Sequence, residues 1–335
     1  MLDLLKKLCL LDGTSGSEDN VRNFIIDEIK DYCEYKIDNL GNIICFKRGK
    51  KRPSKKLMLD AHMDEVGLII TSVTSDGFLK FDTVGGIDAS VLCFKKVKIG
   101  EVFGIISGKP THLLSKDERK KAPKTDSLYI DIGVSTKDEA LSLVSLGDTA
   151  IIQSDFTLMG ENVKAKAIDD RIGCAVLIKL LKEKAEYDFW AVFSTPEEIG
   201  TRGARVATFA INPDFALALE ATTAADIAGV SDDKSVCNLG NGPAVSFMDR
   251  ATMYDRELYN AALQSGIAVQ PKRAVAGGNN SGAIHLSREG VRTLAISLPC
   301  RYIHSPSCVA NIKDMENMMA LTKYMMNIIL SGEIK

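Results

Sequence analysis

The run Phe189-Trp190-Ala191-Val192-Phe193 passes straight into Ser194-Thr195-Pro196-Glu197-Glu198-Ile199-Gly200. No other junction constrains the fold as much. An apolar run rich in aromatic and β-branched side chains reads as a buried central strand. Two adjacent carboxylates at the exit of such a strand are costly unless something positive meets them. Pro196 and Gly200 bracket the pair, so it sits on a turn at the strand's C-terminal edge. In open α/β sheets that edge is where ligands bind. The remaining chain must supply whatever neutralises Glu197 and Glu198.

The chain has 335 residues, room for two domains or for one large domain with an insertion. Met1–Leu11 follows an apolar helical pattern, and Ser17-Glu18-Asp19 reads as the opening of a second helix. Lys36–Phe46 reads as a hairpin and Leu57–Ala61 as an apolar strand running into His62-Met63-Asp64-Glu65. From about Thr71 to Gly160, short β-like runs alternate with Gly and Asp turns. This predicts a small all-β module inserted into an α/β domain. The α/β pattern resumes with Ile168-Asp169-Asp170-Arg171 before a helical run. It continues through the strands Phe189–Ser194, Phe215–Leu219 and Val291–Leu298 to a closing amphipathic helix, Asp314–Ile329. The expected organisation is a discontinuous catalytic domain, 1–70 with 162–335, and an inserted β-barrel-like domain, 71–161.

Five groups share one address, the C-terminal end of a predicted strand or the loop after it. They are His62 (with Asp64), Asp169 (with Asp170), Glu197-Glu198, Glu220 and His304. Parallel strands bring such ends together on one edge of a sheet. Two imidazoles with three or four carboxylates suit zinc, cobalt or manganese and need no thiolate. They also exceed what one tetrahedral catalytic ion takes, so the count fits two divalent ions sharing a carboxylate. Two such ions can hold a bridging hydroxide, and a carboxylate left free of metal can serve as general base. Adjacent Glu197 and Glu198 leave a strand end in different directions, which permits that division of labour. Asp64, two residues after His62, can accept the other imidazole N–H and fix the tautomer.

These motifs resemble metallopeptidase family forty-two, the tetrahedral-assembly aminopeptidases, also known as glutamyl or deblocking aminopeptidases and as "cellulase M". The segments that carry the resemblance are Ala61-His62-Met63-Asp64-Glu65-Val66-Gly67, Ala167–Gly173, Thr195–Gly200, Leu219-Glu220-Ala221-Thr222 and Arg301–Pro306. Val84-Gly85-Gly86-Ile87-Asp88 inside the β segment belongs with them. The resemblance implies a mixed-sheet, three-layer α/β metallopeptidase domain of the phosphorylase/hydrolase-like type, with an inserted small all-β dimerisation domain. It also implies that Asp169 bridges two ions, zinc foremost with cobalt or manganese as alternatives. His62 and Glu220 would complete one ion, Glu198 and His304 the other. Glu197 would be the base and Asp64 the residue that orients His62. Gly278, Asn279 and Asn280 would line the substrate pocket, and the Asp169–Asp170 peptide would be cis. The substrates implied are peptides cut at the N-terminal bond. The assembly implied is a homo-oligomer, from dimer to tetrahedral dodecamer. The chain departs from common family residues at Glu220 and Asn280, each Asp in many relatives, and at Cys308, often Glu.

Composition bounds the alternatives. A net charge of −2 gives no general attraction to nucleic acid or anionic membrane. Apolar runs such as Val66–Ile70 are too short to cross a bilayer, and the N-terminus lacks the pattern of a signal peptide, so a cytoplasmic location is expected. None of the eight cysteines forms a C-x-x-C pair, so they read as small apolar side chains. An endo-1,4-β-glucanase would need two carboxylates across a sugar cleft lined by aromatic platforms. Here there is one Trp, in a predicted buried strand. A non-catalytic metal-binding protein would not need Glu197.

Overall fold

The computed structural model describes residues 1–334, with the backbone alone at 111; Lys335, which the expected catalytic segment includes, lies outside them. In chain order the elements before the barrel are α1 (Leu2–Leu10), α2 (Asp19–Ile29), β1 (Glu34–Ile37), β2 (Ile43–Lys47) and β3 (Leu57–His62). The barrel region holds β4 (Gly67–Val73), β5 (Leu79–Val84), β6 (Lys96–Ile99), β7 (Val102–Gly108), β8 (Leu128–Asp131), α3 (Lys137–Leu143) and β9 (Thr149–Ile152). Then come β10 (Thr157–Met159), β11 (Asn162–Ala165), α4 (Ile168–Lys182), β12 (Phe189–Ser194), α5 (Arg202–Ile211) and β13 (Phe215–Thr223). The chain closes with β14 (Ala244–Val245), α6 (Arg256–Leu263), β15 (Gln270–Pro271), α7 (Ser281–Ile284), β16 (Arg292–Arg301), β17 (Cys308–Asn311) and α8 (Ile312–Leu330).

An eleven-stranded mixed sheet runs β1-β2-β12-β3-β13-β16-β17-β11-β10, with β14 and β15 attached beside β16. Its centre, β12-β3-β13-β16, is parallel. The strands β3, β12 and β13 are almost wholly buried because helices cover both faces, as a parallel sheet requires. On one face Leu5, Ile25, Leu177, Leu258 and Met318 of α1, α2, α4, α6 and α8 pack on Leu59, Phe193 and Leu217. On the other, Ala204, Ala207 and Ile284 of α5 and α7 pack on Met58, Val192 and Ala216. This is the expected three-layer α/β architecture. β4-β5-β8-β7-β6-β9 close a barrel around a separate core that includes Leu68, Leu79, Val97, Ile106 and Ile130.

The barrel begins and ends earlier than expected. The boundary placed at residue 70 cuts through β4, whose Gly67–Val73 run pairs with β5 and β9. At the other end β10 falls inside the expected module but belongs to the large sheet, where it pairs with β11. Apolar alternation is the same in both sheets, so the sequence offers no sign of where the chain changes partner.

The Glu197–Glu198 turn is fixed by a close backbone approach. A Cβ on Gly203 would lie 1.8 Å from the Thr195 carbonyl oxygen and 2.2 Å from Asn42 Oδ1. Asn42 accepts from the Thr195 amide at 2.8 Å and donates to the Gly203 carbonyl at 3.1 Å, tying β2, the turn and α5 together. Gly203→Ala is therefore expected to destabilise by about 2–4 kcal/mol, because backbone must move to admit the methyl. Denaturant melts of the variant and wild type measure this; an unchanged midpoint would contradict the crowding.

Candidate active site

Each expected ligand reaches one cleft along the C-terminal edge of the sheet. His62 ends β3. Glu197 and Glu198 follow β12, Asp169 follows β11, and His304 lies in the loop after β16. Glu220 differs slightly, for it sits inside β13, which continues to Thr223. Two donor groups result: His62, Asp169 and Glu220, and Asp169, Glu198 and His304. Within each, the ligand atoms lie within 4.8 Å of one another. Asp169 belongs to both. Its Oδ1 is 3.4 Å from His62 Nε2 and its Oδ2 is 3.4 Å from His304 Nε2. His62 Nε2 is 3.8 Å from Glu220 Oε2, and His304 Nε2 is 3.5 Å from Glu198 Oε2. The Asp169–Asp170 peptide is cis.

These distances are long for charge-assisted hydrogen bonds, which run about 2.7–2.9 Å. They match the edge of a tetrahedron, about 3.4 Å, around an ion with ligands at about 2.1 Å. Asp169 Oδ1 is buried and has no hydrogen-bond partner. An N/O donor set with an orphaned carboxylate oxygen fits a divalent cation.

Both imidazoles are held by their other nitrogen. His304 Nδ1 bonds the Gly86 carbonyl at 2.9 Å, so the loop after β5 supports a side chain of the large domain. His62 Nδ1 bonds the main-chain carbonyl of Asp64 at 3.1 Å. The Asp64 carboxylate, expected to take that bond, stands 3.4 Å away and serves more groups. It accepts from the Ser15 hydroxyl at 2.6 Å, the Glu197 amide at 2.9 Å and the Glu198 amide at 3.1 Å. Behind it Glu65 is buried against Lys166 at 2.7 Å and Arg171 at 3.2 Å.

Burial dominates the electrostatics. It pushes Glu197 up to about 7 and Glu198 up to about 8, each helped by the Asp169 charge. Glu220 is also raised by burial, with repulsion from Asp170 and Glu197. Burial opposes ionisation of Asp169, but the His304 and His62 imidazoles beside it outweigh that and hold the carboxyl low. For His304, burial works against the charge, yet Asp169 and Glu198 raise it to about 10.

Of the expected substrate contacts, Gly278 and Asn279 line the cleft. Asn280 does not. It is wholly buried, and its amide donates to Asp60 at 2.7 Å and Ser194 at 2.9 Å, behind Glu220. Asp226 forms an ion pair with Arg301 at 2.7 Å. The sequence reading missed Asp60, a fully buried acid pushed up to about 7 by desolvation. Its signal was a lone Asp inside the apolar Leu57–Ala61 run. It also missed the basic wall of the cleft, Arg202, Arg205, Lys272 and Arg288. Arg202 and Arg205 lie on α5 and Lys272 and Arg288 in loops, and no local motif joins them.

The fold and the donor set together define an α/β protein with a candidate metal centre at its sheet edge. The chain matches the family described as M42 glutamyl aminopeptidase over residues 41–321. It is 32% identical to the lysyl aminopeptidase of Pyrococcus furiosus, covering 96% of this chain and 95% of that one. It is 29% identical to the glutamyl aminopeptidase of Lactococcus lactis, covering 94% and 92%. Among solved structures, an aminopeptidase from Desulfurococcus kamchatkensis aligns with a TM-score of 0.90 at 33% identity, covering 96% and 93%. The TET1 peptidase of Pyrococcus horikoshii, which can assemble into a tetrahedron or a large octahedral shell, aligns at 0.85 with 32% identity, covering 96% and 98%. A structure described as an endoglucanase from Thermotoga maritima aligns at 0.80 with 34% identity, covering 98% and 97%. The chain belongs to the M42 aminopeptidase family and is a peptidase.

The raised carboxyls set a pH dependence. An unfolded Glu titrates near 4.3, so between that value and about 8 the folded, metal-free protein holds protons at Glu197 and Glu198 that the unfolded chain has lost. Stability present at the acid end is therefore lost as pH rises through 7 to 8. Chelated protein is expected to melt at progressively lower temperature from about pH 5 to about pH 8.5, and restored metal to flatten that slope, because a cation favours the ionised acids. Thermal melts across that range decide it; a melting temperature that rises with pH in the chelated protein would contradict it.

Proposed function

We propose that this peptidase is a di-metal aminopeptidase in which Glu197 is the general base. One observation carries the assignment. Of the four carboxylates lining the cleft, Asp169, Glu198 and Glu220 fall in the donor groups and Glu197 falls in neither. His62, Asp169 and Glu220 would hold one ion, and Asp169, Glu198 and His304 the other. When bound, such ions polarise the scissile carbonyl and make water a better nucleophile at neutral pH. Zinc suits the donor set, as do cobalt and manganese.

The protein's own part is proton handling and orientation. The Glu197 carboxylate takes a proton from the attacking water and returns it to the departing amine. Cations beside it would favour its ionised form, the form a base needs. Asp64 orients Glu197 by accepting its backbone amide, and it sets the His62 ring through the carbonyl contact. The acidic floor attracts the free ammonium of a peptide N-terminus. The glucanase reading fares less well. Trp190 packs on Phe46 with ring centroids 4.9 Å apart and does not line the cleft. Glu197→Gln is expected to keep both ions and lose about 10²–10⁴-fold in kcat. Metal analysis beside release from aminoacyl-nitroanilides checks it, and full activity would remove Glu197 from the role. Sugar release from carboxymethylcellulose that survives chelation, without peptide hydrolysis, would overturn the aminopeptidase mechanism.

The cleft has a volume of about 1520 Å³ and is bipolar. Opposite the acids stand Arg202, Arg205, Lys272 and Arg288, and among the described residues none of these four has a carboxylate partner. This favours an acidic first side chain. Glutamyl- and aspartyl-nitroanilides are expected to exceed lysyl-nitroanilide about tenfold or more in kcat/KM, corresponding to one desolvated ionic contact, with the ratio falling as salt rises. A lysyl preference would refute it. Assembly follows the family reading. Phe94, Phe103 and Ile105 are exposed on the barrel, an apolar face suited to a second copy on the way to a larger shell. Among the described residues no helix is long and apolar enough to cross a membrane. Eight free thiols suit a reducing, cytoplasmic compartment.

A further inference from the structure

His304 stands in the loop between β16 and β17, where Tyr302 and His304 both adopt φ of 58°. Neither is glycine, so each is strained and persists only if its surroundings hold it. Gly86 holds the ring from the barrel side. From the sheet side the holder is Cys308. Its buried Sγ lies 3.4 Å from the Tyr302 carbonyl oxygen and 3.3 Å from the Ser305 carbonyl oxygen. These two carbonyls bracket His304. A single S–H can serve either, and the Tyr302 carbonyl also accepts from the Ser305 hydroxyl at 2.6 Å, so the thiol and that hydroxyl together clasp the loop.

Cys308 has a second neighbour. It is Cys300, whose thiol lies 3.5 Å from the Arg301 carbonyl oxygen. Cys300 pairs with Ala310 and Arg301 with Val309, which makes Cys300 and Cys308 diagonal neighbours on one face of the hairpin. Diagonal residues sit about 7–8 Å apart, whereas a disulfide spans at most about 6.8 Å between Cα atoms. Bridging the pair would therefore require the hairpin end to shift. A cavity of about 20 Å³, bordered by Cys308, His304, Asp169 and Glu198, reaches the thiol and has the scale of a small molecule such as water or peroxide.

We propose that Cys308 is a positioning residue for His304, and that a peroxide, by joining Cys308 to Cys300, releases the loop it holds. The proposal rests on His304 being a metal ligand. The Cys308 sulfur attacks one oxygen of hydrogen peroxide, the O–O bond breaks, and a sulfenic acid and water form. The Cys300 sulfur then attacks the Cys308 sulfur, the S–O bond breaks, a second water leaves and the S–S bond forms. Two thiols give up two electrons and two protons, and the peroxide takes both. Neither carbonyl then has its S–H donor.

Cobalt titration of the full chain, read by visible absorption, tests the clasp. Wild type is expected to bind two ions. Cys308→Ser, which keeps a donor, should bind both within about threefold of wild type. Cys308→Ala, which takes the thiol donor from the Ser305 carbonyl and leaves the Tyr302 carbonyl only the Ser305 hydroxyl, should weaken one site about tenfold and spare the other. Circular dichroism verifies that each variant is folded. Peroxide treatment followed by peptide mapping should find a Cys300–Cys308 bridge with release of one cobalt, reversed by dithiothreitol, while Cys300→Ser retains both ions. The positioning role is overturned if Cys308→Ala binds both ions as wild type does. The oxidative release is overturned if no bridge forms or the bridged protein keeps both ions. A wild type that binds no cobalt overturns the metal reading of the site and this one with it.

Discussion

One buried carboxylate joins the two strand exits from which the site is built. Asp64 lies just beyond β3, yet three of its contacts reach other segments: Ser15 before α2, and the amides of Glu197 and Glu198 after β12. A charge with no solvent exposure is tolerated only when its lone pairs are filled. Burial pushes against ionisation of Asp64, but the His62 imidazole and the Glu197 amide prevail and keep its carboxyl low. The same bonds that keep it ionised fix the directions of Glu197 and Glu198. The site is thus built on an anion that belongs to neither donor group.

Around that anchor the other acids destabilise one another. Glu197, Glu198 and Glu220 are all raised by burial, and each feels the others or Asp169. Such a cluster folds because the layers on both sides of the sheet overdetermine it. Leu59 and Phe193 pack on one face of the strands that carry it, and Met58 and Val192 on the other. Apolar burial, at roughly 25 cal/mol per Å², is the general source of the stability that offsets a repulsive edge. A site held open for cations is the natural counterpart of a core that does not need the site's own contacts.

How much of this was legible depended on whether the signal was local. His62, Glu197-Glu198, Glu220 and His304 each follow or end an apolar strand, and a parallel sheet gathers such ends, so their convergence could be read from spacing and order. Asp169 was visible in the same way before its helix. The barrel's limits were not, because β4 and β10 are short β-like runs like the strands beside them and differ only in partner. Asn280 resembled a cleft residue because its neighbours Gly278 and Asn279 are; only the fold sets its side chain against Asp60. The basic wall was illegible for a related reason. Arg205 and Lys272 line one cleft from distant segments, and no periodicity records such a convergence.

The bond from His304 to the Gly86 carbonyl changes what the inserted barrel is. A module spliced between β3 and β10 could have been a detachable adaptor. Instead, the residues just after its second strand supply the acceptor that settles which nitrogen of His304 faces Asp169. A Cβ at Gly86 would already lie 3.2 Å from that ring, so the fit leaves little slack. The two bodies therefore share one proton position. Any partner that tilts the barrel would alter the tautomer of an imidazole in the other domain, and the splice is as much a part of the chemistry as the strands it interrupts.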